Sequence, residues 1–244
     1  PAFGVQREHL MAAFRSALKD SNVDHRTETR LRDFSWTGRG VALDLESQDK
    51  SRQQLACDLL VGADGLHSSV RRKAGLQSTR PRRFSRWGAR CYFRSTETRE
   101  QVCVTLGSGL ESYLTPLGDQ LFGLAFLWSP STLGRPLPGN GEIWRRLFAL
   151  MGPRFPGVLP TPLEDFFGDD RAIGPLHQPV ISPLHSSGRV ALVGDAAGYL
   201  DALTGEGLCL GLRQARSLSN CILEERLFHY PGEHRAIKRR HQWT

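Results

Sequence analysis

An α/β fold interrupted by an inserted antiparallel sheet is predicted by two features of the 244-residue sequence. The apolar runs in "DLLVGADG" and "RVALVGD" each end in a glycine close to an acid, as strands of an α/β layer do where a ligand loop begins. From about Arg80 to Trp128 the sequence instead alternates between apolar and polar residues, which is typical of an antiparallel sheet. We therefore expect α/β segments at 1–78 and 166–244 around a sheet domain at 79–165.

The first part of the chain predicts one helix followed by short strands. Leu10, Phe14 and Leu18 recur every four residues, so they predict an amphipathic helix over Arg7–Lys19. Three strand-like segments separated by polar residues follow: Val23–Thr27, Leu31–Trp36 and Val41–Glu46.

The remaining elements complete the alternating pattern. In "HSSVRRKAGL", Ser68 or Ser69 can cap a short helix that Gly75 ends. The inserted sheet is expected from four alternating stretches: "WGARCYFR", "QVCVTLG", "ESYLTPL" and "LFGLAFLW". A short helix at Glu142–Met151, a strand in "GRVALVG" and a long helix from Gly205 toward Arg226 follow.

Composition places the chain among soluble globular proteins of a reducing compartment. Apolar residues make up 39% of the sequence and charged residues 23%. The longest nearly unbroken apolar run, Leu121–Trp128, is far shorter than the roughly 18 residues of a membrane span. The five cysteines are scattered and odd in number, which argues against a disulfide framework or a metal site. A cytoplasmic protein is the expectation.

The net charge of +7 is concentrated in basic clusters, among them Arg71–Lys73, Arg80–Arg86 and Arg235–Arg240. We interpret these clusters as solvated faces, with attraction of a phosphate-bearing cofactor as the alternative. No aromatic-interleaved basic motif accompanies them, so no nucleic-acid partner is expected.

The stretch "ALVGDAAGYLDALTGEGL" at 191–208 combines the features of a flavin site. Gly194 follows the strand directly, and the carboxylate of Asp195 is an acceptor suited to sugar or polyol hydroxyls. Small residues leave room beside it for a flat ring. Gly205 and Gly207 fall at the expected helix start, where free amides favour an anionic ligand atom. Together these groups suit the ribityl chain and ring of a flavin.

A second glycine-flanked acid, Asp64, follows the other α/β strand. Its carboxylate either caps the helix that begins near Ser69 or shapes a loop that contacts a cofactor, and the sequence leaves both roles open.

Three segments resemble one family. "DLLVGADGLHSSVRR" resembles the Asp-Gly motif, and "GRVALVGDAAG" the Gly-Asp motif, of FAD-dependent oxidoreductases with the para-hydroxybenzoate hydroxylase type of fold. "VQREHLMAAFRSAL" looks like the short Arg-x-x-Leu helix that precedes both motifs in that family. The resemblance implies an FAD/NAD(P)-binding Rossmann-like layer with an inserted antiparallel-sheet substrate domain.

The resemblance also implies cofactor-binding roles. Arg7 would contact FAD, and Asp64 with Gly65 would shape the loop near the pyrophosphate. In the Gly-Asp motif, Asp195 would follow Gly194 and bond a ribityl hydroxyl. The remaining implied contacts lie along the flavin ring: Ala196, Ala197, Gly205, Glu206 and Gly207.

Two departures from the family bear on function: changes in and after the Gly-Asp motif, and a missing glycine-rich motif. Gly198 stands where hydroxylases commonly carry a histidine, and the run from Thr204 to Gly207 looks more like the geranylgeranyl reductase-like branch. We therefore expect hydride transfer through FAD, with NAD(P)H or another donor, to a small apolar unsaturated substrate. The alternatives are an NAD(P)H-dependent flavin monooxygenase acting on an aromatic or lipid substrate and a non-catalytic fragment or remnant.

The second departure is a missing block. The Gly-x-Gly-x-x-Gly turn that binds the ADP half of FAD in this family does not occur here, so the layer is incomplete and we expect a piece of a longer protein. The halogenase Trp-x-Trp-x-Ile-Pro motif is absent too.

The catalytic residues stay unassigned. Tyr92, Tyr113 and Trp128 are candidate lining residues, although a core role is expected more often for such residues. His9 and His67 could transfer protons, but neither has a visible partner in the sequence. The oligomeric state and peripheral contact with a membrane are left open.

Overall fold

The computed structural model describes residues 4–19, 21–79, 86–96, 99–135, 142–151, 172–199 and 205–241. They belong to two compact units: one contains Pro1–Asp24 and Arg83–Leu176, the other His25–Arg82 and His177–Thr244. The domain boundaries predicted at 78 and 165 stay a prediction. Within the described residues, no helix has both the length and the apolar character needed to cross a membrane.

The helices and strands follow in chain order. The first group comprises α1 (Arg7–Lys19), β1 (Thr29–Trp36), β2 (Val41–Ser47), β3 (Arg52–Cys57), β4 (Leu60–Gly62) and α2 (Ser69–Lys73). The second comprises β5 (Trp87–Arg94), β6 (Cys103–Gly107), β7 (Leu110–Pro116), β8 (Leu121–Trp128), α3 (Pro130–Leu133) and α4 (Glu142–Met151). The third comprises β9 (Val190–Leu192), α5 (Gly207–Leu223) and α6 (Tyr230–His241), with 3-10 turns at Gly194–Ala197 and Leu227–His229.

The unit that contains α1 is built on an antiparallel sheet with strand order β5-β8-β7-β6. One face of this sheet is apolar and packs with Leu147 and Phe148 of α4, because alternate residues of each strand point to the same side. Its buried strand residues include Phe93, Leu114, Leu124, Phe126 and Trp128. The four strands predicted from alternation are confirmed.

The other unit combines a meander with a parallel strand pair. Strands β1, β2 and β3 form an antiparallel sheet, and β4 pairs with β9 in parallel. Leu60 lies opposite Val190, and Gly62 opposite Leu192. All three residues of β9 are completely buried, which explains why the sequence of β9 is apolar without alternation. The predicted α/β fold with an antiparallel sheet is confirmed.

One strand expected for the meander is absent from the described residues, and one strand was not predicted. Residues 23–27 form no strand; β1 begins at Thr29, where its pairing with Ser47 of β2 begins. A strand needs a backbone ladder with a neighbouring strand, so composition alone does not make one. Strand β3 was not predicted because its residues Arg52–Ala56 are all exposed, which removes the alternation that marks a half-buried strand.

Helix α6 is fixed to the parallel pair by a buried hydrogen bond. The hydroxyl of Tyr230 donates to the carbonyl of Leu192 at 2.7 Å, and both residues are completely buried. A buried carbonyl needs such a partner, so this bond ties the start of α6 to the end of β9.

Candidate functional site

The loops that follow β4 and β9 lie side by side. The two strands run parallel, so their carboxyl ends meet at one edge of the pair. The amide of Val193 donates to the carbonyl of Gly62 at 3.0 Å and continues the pairing beyond β9. The two glycine-flanked acids, Asp64 and Asp195, are thereby brought to the same edge, where α/β layers bind ligands.

Asp64 caps helix α2. One of its carboxylate oxygens accepts from the Ser69 amide at 2.7 Å, the Ser69 hydroxyl at 3.0 Å and the Val70 amide at 3.1 Å. Desolvation opposes ionisation of the carboxyl, but hydrogen bonds from Ser68, Val70 and Ser69 outweigh it and hold the pKa of Asp64 below its ordinary value. These contacts are those of a capping carboxylate, and the cofactor role of Asp64 and Gly65 stays a prediction.

The Gly-Asp segment forms the 3-10 turn Gly194–Ala197. Gly194 has a φ of +60°, which a residue with a side chain rarely adopts. A Cβ added to Gly194 would meet no described atom within 4 Å, so the space beside its backbone is open. Ala196 and Ala197 are completely buried in the apolar cluster that contains Val70.

Arg71 links the two loops. This side chain is 1% exposed and lies on the inner side of α2. Its Nη1 donates to the carbonyls of Asp195 at 3.2 Å and Ala196 at 3.0 Å, and its Nη2 donates to the carbonyl of Leu66 at 2.7 Å. Nη2 also lies 3.3 Å from Oε1 of the buried Gln178. The prediction that Arg71 belongs to a solvated basic face was therefore wrong.

Helix α5 begins beside the turn. It starts at Gly207, two residues later than predicted, with Glu206 at its N-cap making no side-chain hydrogen bond to the first turn. Gly205 and Gly207 are exposed, and no described atom lies where a Cβ of either would point. Thr204 lies outside the described residues. Amides of an uncapped first turn are the donors that an anionic group needs.

Gln214 of α5 is hydrogen-bonded to the Gly194–Ala197 turn. It is completely buried, and its Oε1 accepts from the amide of Gly194 at 2.7 Å. Sequence reasoning missed both Gln214 and Arg71. Helical spacing could have found Gln214, because it shares the inner face of α5 with Ser217, Leu218 and Cys221.

The other residues considered from the sequence are an arginine, two histidines and a tryptophan. Arg7 and His9 are exposed at the start of α1, which belongs to the unit with the four-stranded sheet, and the contact of Arg7 with FAD stays a prediction. His67 is exposed too. Trp128 is completely buried in the sheet core and donates its indole N–H to Gly134 at 3.2 Å, which is the core role. No catalytic residue follows from these positions.

The residues of this edge fit a flavin. No atom of the described residues lies where a Cβ of Gly194, Gly205 or Gly207 would point, so these backbones are open on that side. A buried side-chain donor, the Nε2 of Gln214, has no hydrogen-bond partner within the described part of the chain. Open backbone space, a hydroxyl acceptor at Asp195 and free donors are what a polyol chain with an electron-rich ring edge requires.

Comparisons with known proteins point the same way. A family model described as an FAD binding domain matches residues 5–102. The Rhodococcus erythropolis protein AqdB1, named for 2-heptyl-3-hydroxy-4(1H)-quinolone synthesis, is 32% identical over 98% of this chain and 61% of its own length. An aurachin C monooxygenase/isomerase of Stigmatella aurantiaca is 27% identical over 74% of this chain and 47% of its own length. The chain spans about half the length of these curated relatives.

A solved structure has the same fold. The myxobacterial FAD-dependent chondrochloren halogenase CndH superposes with a TM-score of 0.80 over 98% of this chain and 57% of that one, at 18% identity. The predicted architecture, a Rossmann-like FAD-binding layer with an antiparallel sheet, agrees with this likeness.

Replacing Arg71 should destabilise the protein far more than replacing its neighbour Arg72. We expect Arg71→Met to lower the free energy of unfolding by about 3 kcal/mol, because it removes the donor to the Leu66 and Ala196 carbonyls and leaves the Asp195 carbonyl only the Gly198 amide among the described contacts. The exposed Arg72 donates only to the His67 carbonyl among the described contacts, so Arg72→Met should cost no more than about 0.5 kcal/mol. Urea unfolding measures both. Equal losses would contradict the bridging role.

Asp64 should stabilise the fold in a pH-dependent way. Because folding depresses its pKa below 3.8, its contribution is present above that value and is lost as the pH falls through the folded pKa. Asp64→Ala should lower the free energy of unfolding by about 1 kcal/mol at pH 7, and this difference should vanish in strong acid. The matched control is Asp58→Ala at the opposite end of β4. A loss at Asp64 that does not change with pH would refute the capping role.

Proposed function

We propose that the chain is part of an NAD(P)H-dependent flavin monooxygenase with the para-hydroxybenzoate hydroxylase type of fold, because an FAD binding domain model matches residues 5–102 and the fold is similar to that of an FAD-dependent halogenase. The observation that carries the proposal is the joining of the Asp-Gly and Gly-Asp loops by Arg71 at one edge of the parallel pair. The activity of the whole protein is included in the proposal, since the chain spans only part of its relatives.

Monooxygenation is favoured over reduction of an apolar double bond. One curated relative is named a monooxygenase/isomerase, and the other is named for a hydroxylated quinolone. The reductase expectation rested on the run from Thr204 to Gly207, and the comparisons do not support it. Free amides at a helix start suit the negative edge of a flavin whichever acceptor follows, so that run does not discriminate between the two reactions.

The residues of the site would bind and orient the cofactor. Bound FAD would supply hydride acceptance and oxygen activation. The Asp195 carboxylate would accept hydrogen bonds from ribityl hydroxyls, and the first turn of α5 would stabilise negative charge on the ring. Arg71 would keep the Asp195 turn in place by holding its carbonyls.

The substrate class we propose is a flat aromatic ring that carries an alkyl chain, as in the quinolone for which AqdB1 is named. The face of the four-stranded sheet opposite the core suits such a molecule. On that face Tyr113 lies opposite Ala125, and Tyr92 opposite Gly123. On the edge strand β6, Val104 and Leu106 are 50% and 64% exposed.

The full-length protein should bind FAD and use it for oxygen chemistry. We expect a flavin absorption band after purification or FAD addition, and NAD(P)H oxidation with oxygen uptake that 2-heptyl-4(1H)-quinolone stimulates. A geranylgeranyl compound offered without oxygen serves as the reductase control. Protein that takes up no FAD would overturn the proposal, and turnover of the isoprenoid alone would restore the reductase alternative.

Removing the Asp195 carboxylate should weaken FAD binding. We expect Asp195→Ala to raise the dissociation constant roughly tenfold to a hundredfold, because hydrogen bonds to a charged acceptor contribute about 1.5–3 kcal/mol each. Asp58→Ala, at the opposite end of β4, is the matched control and should bind FAD normally. Titration followed by flavin fluorescence measures both constants, and an unchanged constant for Asp195→Ala would show that the carboxylate does not contact the cofactor.

A further inference from the structure

Gln214 lies where α5 contacts the Gly194–Ala197 turn. Its Oε1 accepts from the Gly194 amide at 2.7 Å, and the side chain is completely buried. One turn earlier on the same side of α5, a Cβ added to Gly211 would lie 3.4 Å from the Cα of Gly194. Gly211 and Gln214 are thus two positions at which α5 contacts the turn, one without a side chain and one with a long polar side chain.

The second half of the Gln214 amide, like several other buried polar atoms of the described residues, has no described hydrogen-bond partner. Its Nε2 is buried, and no hydrogen-bond acceptor reaches it within the part of the chain that the structure describes. Burying an amide N–H without an acceptor is costly, and native proteins satisfy most such groups. An apolar side chain of similar length would avoid this cost but would lose the bond to Gly194. The donor therefore points to an acceptor that is present when the site is complete.

We propose that Gln214 is a cofactor-positioning residue and that bound FAD supplies the missing acceptor. This inference rests on the proposed flavin function. The Oε1 holds the amide of Gly194 and thereby fixes the turn that carries Asp195. The Nε2 donates to the cofactor. FAD binding thereby satisfies the remaining donor of Gln214, the same side chain that holds the turn at the FAD site.

The two halves of the amide can be separated by substitution. Gln214→Glu keeps an oxygen for the Gly194 amide; when protonated it also keeps one donor, and when ionised it keeps none. Gln214→Met is of similar length and removes both functions. Leu218→Ala is the matched control, because Leu218 is 3% exposed on the same helix and packs into the apolar cluster with Tyr230.

The experiment measures the FAD dissociation constant of the full-length protein from pH 5 to pH 8, and the unfolding of the apoprotein over the same range. We expect Gln214→Met to weaken FAD binding at least tenfold. Gln214→Glu should bind within about threefold of wild type at pH 5 and at least tenfold more weakly at pH 8, because burial raises the pKa of a glutamate into this range. Wild type should show no such change, and Leu218→Ala should unfold more easily without altered FAD affinity.

Each other outcome counts against the inference. FAD affinities of both Gln214 variants equal to wild type would overturn it while leaving the flavin function intact. If the pH-dependent loss in Gln214→Glu appears equally in unfolding of the apoprotein, the acceptor is a protein group and not the cofactor. Should Gln214→Met fail to fold, the pH profile of Gln214→Glu decides alone. Wild-type protein that takes up no FAD would instead refute the proposed function.

Discussion

The buried guanidinium of Arg71 is the interaction on which the candidate site depends. Desolvating a cation is unfavourable unless acceptors surround it, and here the acceptors are carbonyls of Leu66, Asp195 and Ala196. They belong to loops that follow two different strands. The planar fork of an arginine can bond to both loops at once, whereas a lysine offers a single point charge. One side chain therefore fixes the relative positions of the Asp-Gly and Gly-Asp motifs.

The periodicity of apolar residues made the larger helices and strands predictable, whereas residues outside such a pattern were not predicted. Helix α1 and the four strands of the inserted sheet follow from repeats of about four and two residues, which were visible because one face is apolar. Strand β3 has no such face. The burial of Arg71 was not predicted, because a run of three cations does not by itself reveal which one points inward. Its position next to Val70 and three residues before Ala74, both buried, carried that information.

The residue types that follow the two strands were predictable from the sequence, but the contacts that hold them in place were predictable only in part. Asp195 and Asp64 were each predicted to follow a strand, and the parallel pairing of β4 with β9 brings them to one edge. Local spacing indicates that Arg71 and Gln214 lie on the inner faces of their helices. Their hydrogen-bond partners lie in segments far apart in sequence, so the contacts themselves follow only from tertiary packing. The choice between reductase and monooxygenase shows the same limit, because a glycine-rich helix start provides donors for a flavin but does not select the acceptor of its electrons.

Hydrogen exchange of the full-length protein with and without FAD tests most directly whether the two loops form one cofactor site held by Arg71. The account predicts that FAD slows exchange in peptides covering 62–71 and 193–198 together, and that Arg71→Met abolishes the protection of both while Arg72→Met preserves it. Protection confined to 193–198, or protection of both segments that persists in Arg71→Met, would contradict the account.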